Sequence, residues 1–273
     1  MKIGCCVNMI ASGPDRTGAE WIELLRQLEF DYVELPMAEM LELGAKEQSG
    51  IAERLRELAF PCLCNNNLFP VSFRLTGEEC TSKRRIADYI KRAFTLMNVL
   101  GSKTVVFGSG PAKKVPEGFS RERAYDQLVQ LGHMIGRLAE EYDVYVALEP
   151  LNRMETNIIN SFREANDLMR DINEDRIRLL VDYYHLRVEQ EREDNIFWYG
   201  TGVLRHVHFS EPKGRQFPQP KDAADYRFFF NALRAAGYDD TLSLEAYSLG
   251  HSVREDLRKG LLTIQTCLEK EKK

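Results

Sequence analysis

The chain has 273 residues, 44% hydrophobic and 29% charged, with 42 acids against 37 bases and a net charge of −5. That much apolar side chain excludes a disordered chain. An acidic balance without a basic patch excludes binding by phosphate neutralisation, so no nucleic-acid partner is expected. No run approaches the ~18 apolar residues of a membrane span, so no membrane partner is expected either.

Residues 1–7 are apolar but meet Asn8 too early for the core of a secretion signal, and they read as a first strand starting near Lys2. Further short runs rich in Val, Ile, Leu and aromatics begin near Asp31, Pro61, Lys103, Asp143, Ile177, Leu204 and Thr241. Longer amphipathic segments separate them. The first covers 17–28, with Trp21, Leu24, Leu25 and Leu28 at helical spacing, and the second 51–58. The third, 82–100, has a Ser82 cap and a Gly101 stop, and the fourth, 120–142, a Ser120 cap. Helices are also expected over 161–171, 189–200, 223–236 and 252–269. Each gap between strands is the length of one βα unit.

Eight such units, with no Pro/Gly/Ser-rich linker between them, predict an α/β fold: one domain over 1–273, its parallel strands closed into a single (β/α)8 TIM barrel. No GxGxxG follows the first strand, so a dinucleotide-binding fold loses its main support. Six cysteines are too dilute for a disulfide scaffold, and Cys62-Leu63-Cys64 lacks the spacing of common zinc pairs. All six are expected to be reduced packing residues, with the cytoplasm as compartment.

In such barrels chemistry gathers where strands end. Strand five ends Val146-Ala147-Leu148-Glu149, strand six Leu180-Val181-Asp182, strand seven His206-Val207-His208 and strand eight Ser243-Leu244-Glu245. One carboxylate at a strand end is ordinarily a loop cap or a surface ion. Three of them near one barrel mouth repel one another unless protonated or neutralised. A divalent cation held by Glu149, Asp182, His208 and Glu245 resolves that repulsion. This oxygen-rich set suits Mn²⁺, Mg²⁺ or Co²⁺ better than a thiolate-preferring zinc site, with Zn²⁺ still open.

His206 and His208 alternate and so share one face of strand seven, His206 being the deeper and expected to be hydrogen-bonded in the interior. Glu155, His185 (at the start of the loop after Asp182) and Arg215 follow the same strand ends and would ring a polar, hydroxylated substrate. Glu34, closing strand two beside Pro36, reads as a residue of the barrel interior and a candidate for lining the site. Asn65-Asn66-Asn67 reads equally as a polar turn or a substrate donor, and Gly108-Ser109-Gly110-Pro111 as a tight turn ahead of a close approach to a ligand. His133 reads as surface or inter-helix packing, His251 as a cap, and Phe228-Phe229-Phe230 as part of a helix covering the barrel or an interface.

The segment Ala147-Leu148-Glu149-Pro150-Leu151-Asn152-Arg153-Met154-Glu155-Thr156 resembles the strand-five motif of the xylose-isomerase-like TIM-barrel superfamily. Val181-Asp182-Tyr183-Tyr184-His185, His206-Val207-His208 and Leu244-Glu245 fit that pattern in order and spacing. Asn67-Leu68-Phe69-Pro70 and Val106-Phe107-Gly108-Ser109-Gly110 fit it more loosely. The resemblance covers nearly the whole chain and is nearest to the sugar isomerase/epimerase branch, which includes D-tagatose and D-psicose 3-epimerases.

That resemblance implies one divalent metal, often Mn²⁺ in relatives, on Glu149, Asp182, His208 and Glu245. It implies Glu149 and Glu245 as the acid/base pair, and Glu155, His185 and Arg215 on the substrate's hydroxyls and carbonyl. The substrate class is a small-molecule sugar or sugar phosphate, and dimers or tetramers are the expected assemblies. The reaction is proton transfer beside a ketose carbonyl through an enediolate stabilised by the metal. Return of the proton to the opposite face gives epimerisation, and same-face return to the other carbon gives isomerisation. One departure bears on the substrate: Phe209-Ser210-Glu211-Pro212-Lys213-Gly214-Arg215 places Arg215 one residue later than in the ketohexose epimerases. The alternatives are an inosose-type dehydratase and a non-catalytic sugar-binding barrel. A three-zinc endonuclease is disfavoured by only five histidines and an acidic balance.

Overall fold

Eight short runs of β-branched, aliphatic and aromatic residues form the strands of a closed barrel in the computed structural model, which describes residues 1–248 and 252–269. They are β1 (Lys2–Cys6), β2 (Tyr32–Pro36), β3 (Cys62–Asn66), β4 (Thr104–Phe107), β5 (Tyr145–Leu148), β6 (Ile177–Asp182), β7 (Leu204–Phe209) and β8 (Thr241–Leu244). Each pairs in parallel with the next, and β8 returns to β1, so no edge is left unpaired.

The helices among the described residues are α1 (Ile22–Gln27), α2 (Met37–Met40), α3 (Ala45–Glu57), α4 (Lys83–Leu100), α5 (Gly110–Lys113), α6 (Arg121–Glu141), α7 (Phe162–Ile172), α8 (Tyr183–Val188), α9 (Asp194–Gly200), α10 (Arg227–Ala235) and α11 (Val253–Glu269). Ser82, Ser120 and Ser161 each accept a hydrogen bond from the backbone N–H three residues on. Each such cap contributes about 1 kcal/mol. Gly101, at φ 79°, ends α4 in the left-handed conformation that a side chain would strain.

Strands β4, β5 and β6 are largely apolar on both faces because both faces are buried. Val105, Phe107, Val146, Leu148, Leu179 and Val181 pack outward into the large core under the helices. Their alternates Val106, Ala147 and Leu180 form a small cluster of their own, inside the barrel. The rest of the interior, from β2, β3, β7 and β8, is polar: Tyr32, Glu34, Cys64, His206 and Ser243 are all buried there.

Several helices differ from the periodicity reading. The 17–28 segment begins as a 3-10 turn at Ala19–Trp21 before α1. The helix expected over 51–58 begins earlier, at Ala45, where polar residues hid the pattern and the Glu47 carboxylate accepts from the Gly44 N–H at 2.8 Å. Residues 189–200 are not one helix. Asp182 caps α8 directly after β6 through the Tyr184 N–H at 2.8 Å, and α9 covers only Asp194–Gly200. The turn at Gly108-Ser109-Gly110-Pro111 continues into the single helical turn α5. Phe229 and Phe230 are buried on α10 as expected while Phe228 is exposed, and His133 meets Glu174 at 3.2 Å. Cys5, Cys6, Cys62, Cys64 and Cys80 form no disulfide. No helix among the described residues is long and apolar enough to cross a membrane. His251 lies outside the described residues.

Candidate active site

The ends of β5 to β8 meet because closed-barrel strands tilt and their registers stagger. Asp182 pairs directly with His208, and His208 with Ser243, two residues short of Glu245. Leu148 pairs with Leu179, so Glu149 sits two residues lower than Asp182 on the ladder. The stagger brings all four to one level. Glu149, Asp182, His208 and Glu245 are buried, and each offers one donor atom within 4.8 Å of the others. His208 Nδ1 lies 3.3 Å from Glu149 Oε1 and 3.2 Å from Glu245 Oε2. Those are the donor-to-donor edges expected of bonds of ~2.0–2.2 Å to a shared ion.

Arg215 enters the same cluster. Its Nη2 lies 3.3 Å from Asp182 Oδ2 and pairs closely with Glu245, and its Nη1 is 3.4 Å from Glu155 Oε1. The guanidinium also lies 4.9 Å from the Tyr184 ring centroid. The loop after β7 delivers this residue. Gln216 bridges to both Glu211 and Tyr247, and the Tyr247 N–H donates to the Arg215 carbonyl at 2.8 Å.

His185 departs from expectation. It is not at the start of a loop but on α8, and it is buried. Its Nδ1 accepts from the Asn152 backbone N–H at 3.2 Å, which leaves the proton on Nε2. That Nε2 is buried without a hydrogen-bond partner, 3.4 Å from Asp182 Oδ2. Burial, with Arg215 nearby, holds the imidazole well below its usual range and therefore neutral.

Two residues that the sequence did not flag complete the surroundings. Lys113, at the end of α5, is buried, and its Nζ donates to the Glu149 carbonyl at 2.9 Å. Cys6 Sγ lies 3.6 Å from His208 Nε2. The short helical turn that carries Lys113 inward is set by local packing and has no periodic signature. Glu34 faces the barrel interior as expected, but it does not line the pocket: it lies beneath it, between His206 and His208. Of the three asparagines, Asn65 and Asn66 hold neighbouring chain, Asn65 by donating to the Leu35 carbonyl and Asn66 to Asn8 Oδ1. Asn67 alone reaches the pocket wall.

The donor set fits a divalent cation. Glu149, Glu155, Asp182 and Glu245 gather four carboxylates at one place against the guanidinium of Arg215 and the ammonium of Lys113, with the His208 imidazole among them. Burial raises the Asp182 carboxyl; Arg215 works against it, Glu245 and Glu149 add to it, and the outcome is about 7. Burial also opposes charge on Glu245, but Arg215 and His208 outweigh it and hold Glu245 well below the usual carboxylate range. Burial raises Glu155, with Arg215 in partial opposition.

Above the set opens a cavity of about 700 Å³. Glu149, Glu155, Arg215 and Glu245 form part of its wall, and its outer part carries Asp15, Glu39 and Glu42 against Arg16. A cavity of this volume takes a small organic ligand.

A family model described as xylose isomerase-like TIM barrel matches residues 22–266. The chain is 24% identical over 252 residues to the ketose 3-epimerase of Arthrobacter globiformis, covering 91% of this chain and 84% of that protein. It is similar to a crystal structure of D-psicose 3-epimerase in the presence of D-fructose, with TM-score 0.85, 18% identity and coverage of 98% of this chain and 99% of that one. It is similar also to the IOLI protein with a bound zinc atom, with TM-score 0.77, 18% identity and 98% of each chain covered.

Proposed function

The chain belongs to the xylose isomerase-like TIM barrel family, and from that premise we propose that it is a divalent-metal-dependent ketose epimerase, moving a proton beside the carbonyl through an enediolate. The observation that carries this reading is the placement of Glu149 and Glu245 at one mouth, with His208 Nδ1 between them at 3.3 and 3.2 Å. The ketose 3-epimerase relative supports epimerisation over aldose–ketose isomerisation.

Glu149, Asp182, His208 and Glu245 would hold the cation, Mn²⁺ in first place and Mg²⁺, Co²⁺ or Zn²⁺ otherwise, and when bound it supplies Lewis-acid polarisation of the carbonyl. Glu149 and Glu245 are the acid/base pair: one takes the proton from the carbon, the other returns one from the opposite side. The His185 Nε2–H, behind the cavity wall, buried without a hydrogen-bond partner and 3.4 Å from Asp182 Oδ2, would donate to a substrate oxygen drawn in beside the cation. Arg215 and Glu155 hold the hydroxyls further along the chain of the sugar. Six carboxylates in the wall (Asp15, Glu39, Glu42, Glu149, Glu155, Glu245) against two guanidinium groups (Arg16, Arg215) favour a neutral ketose over a sugar phosphate.

The same reading takes 1–273 as one domain acting in the cytoplasm, which the buried thiols of Cys5, Cys6, Cys62 and Cys64, none in a disulfide, support. Exposed Phe197, Trp198 and Phe228 on adjoining α9 and α10 support self-association as a dimer or tetramer.

The test is proton exchange. Metal-stripped protein is reloaded with Mn²⁺ and incubated in D₂O with a panel of free and phosphorylated ketoses. Deuterium should enter at the carbon beside the carbonyl of a free ketose as its epimer forms. Absence of exchange in every member of the panel would overturn the proposal.

A further inference from the structure

Beneath the rim, the barrel interior holds polar side chains that the proposed reaction does not use. Glu34 on β2 is fully buried and has no part in the pocket wall. Its two oxygens are divided between the histidines of β7. Oε2 lies 2.8 Å from His206 Nε2, and Oε1 lies 3.0 Å from His208 Nε2. The Ser243 hydroxyl donates to Oε2, and the Tyr32 hydroxyl, 2.8 Å from Ser243 Oγ, donates in turn to Ser243. The β2–β3 register shifts between Val33 and Glu34, an irregularity of the kind that re-aims a side chain.

An imidazole has two nitrogens, and the hydrogen bond made by one decides which proton state the other presents. A carboxylate on Nε2 keeps a proton there, so that a cation arriving at the other side of the ring meets Nδ1 as the nitrogen free to ligate. In His208, Nδ1 is the nitrogen that faces Glu149 and Glu245. Cys6 Sγ also approaches Nε2, at 3.6 Å, but a thiol is a far weaker partner than an ionised carboxylate. His206 is itself tied to Thr241 Oγ1 at 2.8 Å, so Glu34 is gripped from both sides and cannot turn away.

We infer that Glu34 is a positioning residue for the cation site: it fixes the tautomer and ring orientation of His208 so that Nδ1 is presented as a ligand, while touching neither cation nor substrate. The inference rests on the metal reading above. Outer partners of this kind typically change metal affinity ten- to a hundredfold when removed.

The test is Mn²⁺ titration of metal-stripped protein by calorimetry. Glu34→Gln keeps the volume but turns an amide toward the histidines, and it should weaken Mn²⁺ binding roughly ten- to a hundredfold. His206→Gln damages the same network while leaving the Glu34–His208 pair, and it should cost no more than about threefold. On ¹⁵N-histidine NMR of the Mg²⁺-loaded protein, His208 should carry its proton on Nε2 in wild type and lose that preference in Glu34→Gln. If Glu34→Gln does not fold, Glu34→Asp keeps the charge, shortens the reach and should still weaken binding about tenfold.

Wild-type affinity in the folded Glu34 variant overturns the inference. So does an equal loss in the Glu34 and His206 variants with the His208 tautomer unchanged. A wild-type protein that binds no Mn²⁺ brings down the metal reading as well, so the two failures are distinct.

Discussion

Gly108 and Glu149 are packed so closely that a Cβ at position 108 would overlap Glu149 Oε2, with the carboxyl carbon 3.2 Å away and Leu151 Cδ2 3.4 Å away. The bare Cα on the loop after β4 is what lets the Glu149 carboxylate lie 3.3 Å from His208. Gly108 does not have a positive φ, so alanine is not strained there by the backbone. The overlapping atom is the free end of a flexible side chain, which can swing aside at small cost to folding. Gly108→Ala should therefore melt within a few degrees of wild type and lose at least about tenfold in Mn²⁺ affinity and turnover. Unchanged affinity by calorimetry would show that Glu149 is not held from this side.

Glu149→Gln and Glu245→Gln keep size and burial while removing the ability to exchange a proton. Each should fold, by circular dichroism and thermal melting, and each should lose turnover by about 10²–10⁴, the usual contribution of a positioned acid or base. Solvent deuterium exchange separates the two roles. A variant that has lost only the returning acid can still wash the proton out of one epimer. Near-normal turnover in both would end the acid/base assignment.

Gly4 on β1 faces the Tyr32 ring inside the barrel, and a Cβ there would overlap that ring. Tyr32 is fully buried and tied to Ser243 at 2.8 Å, so it has nowhere to go. Gly4→Ala should cost about 1–3 kcal/mol as an overpacked core. In a domain of this size that lowers the melting temperature by roughly 2–12 °C. A calorimetric scan with no shift would mean the interior relaxes more freely than its packing suggests.

How far the sequence spoke depended on whether a position obeyed a period. Glu149, Asp182, His208 and Glu245 were legible because each ends an apolar run, and a closed barrel brings strand ends to one rim. His206 was legible as an interior residue because it alternates with His208 on one strand. His185 reads from sequence as a loop residue because a six-residue helix capped by Asp182 is too short to show periodicity. Lys113 had no signal at all, since a lysine after Gly110-Pro111-Ala112 reads as a solvated loop charge until packing turns it inward. Glu34 was half legible: its strand was clear, but a register shift beside it decides that it meets two histidines and not the pocket.

Lys113 gives the molecule a pH signature that its neighbours cannot imitate. Its ammonium is buried against the Glu149 carbonyl at 2.9 Å and lies 5.9 Å from the Phe107 ring centroid. Burial lowers its pKa from 10.5 to about 8, with Glu149 and Glu155 opposing the shift. In the unfolded chain the amine keeps its proton up to its ordinary value. Between about 8 and 10.5 the unfolded state therefore binds more protons than the folded one, and stability rises with pH. Below 8 both states are charged and the full penalty stands. A depression of this size amounts to roughly 3 kcal/mol across the window. Lys113→Met removes the titration, so unfolding free energies of wild type minus variant should climb by that order between pH 7.5 and 10.5. The lost hydrogen bond shifts the whole curve, since a neutral amine still donates, and leaves its slope alone. Chemical denaturation at four or five pH values decides the matter: a flat difference would mean that Lys113 keeps its ordinary proton affinity in the fold.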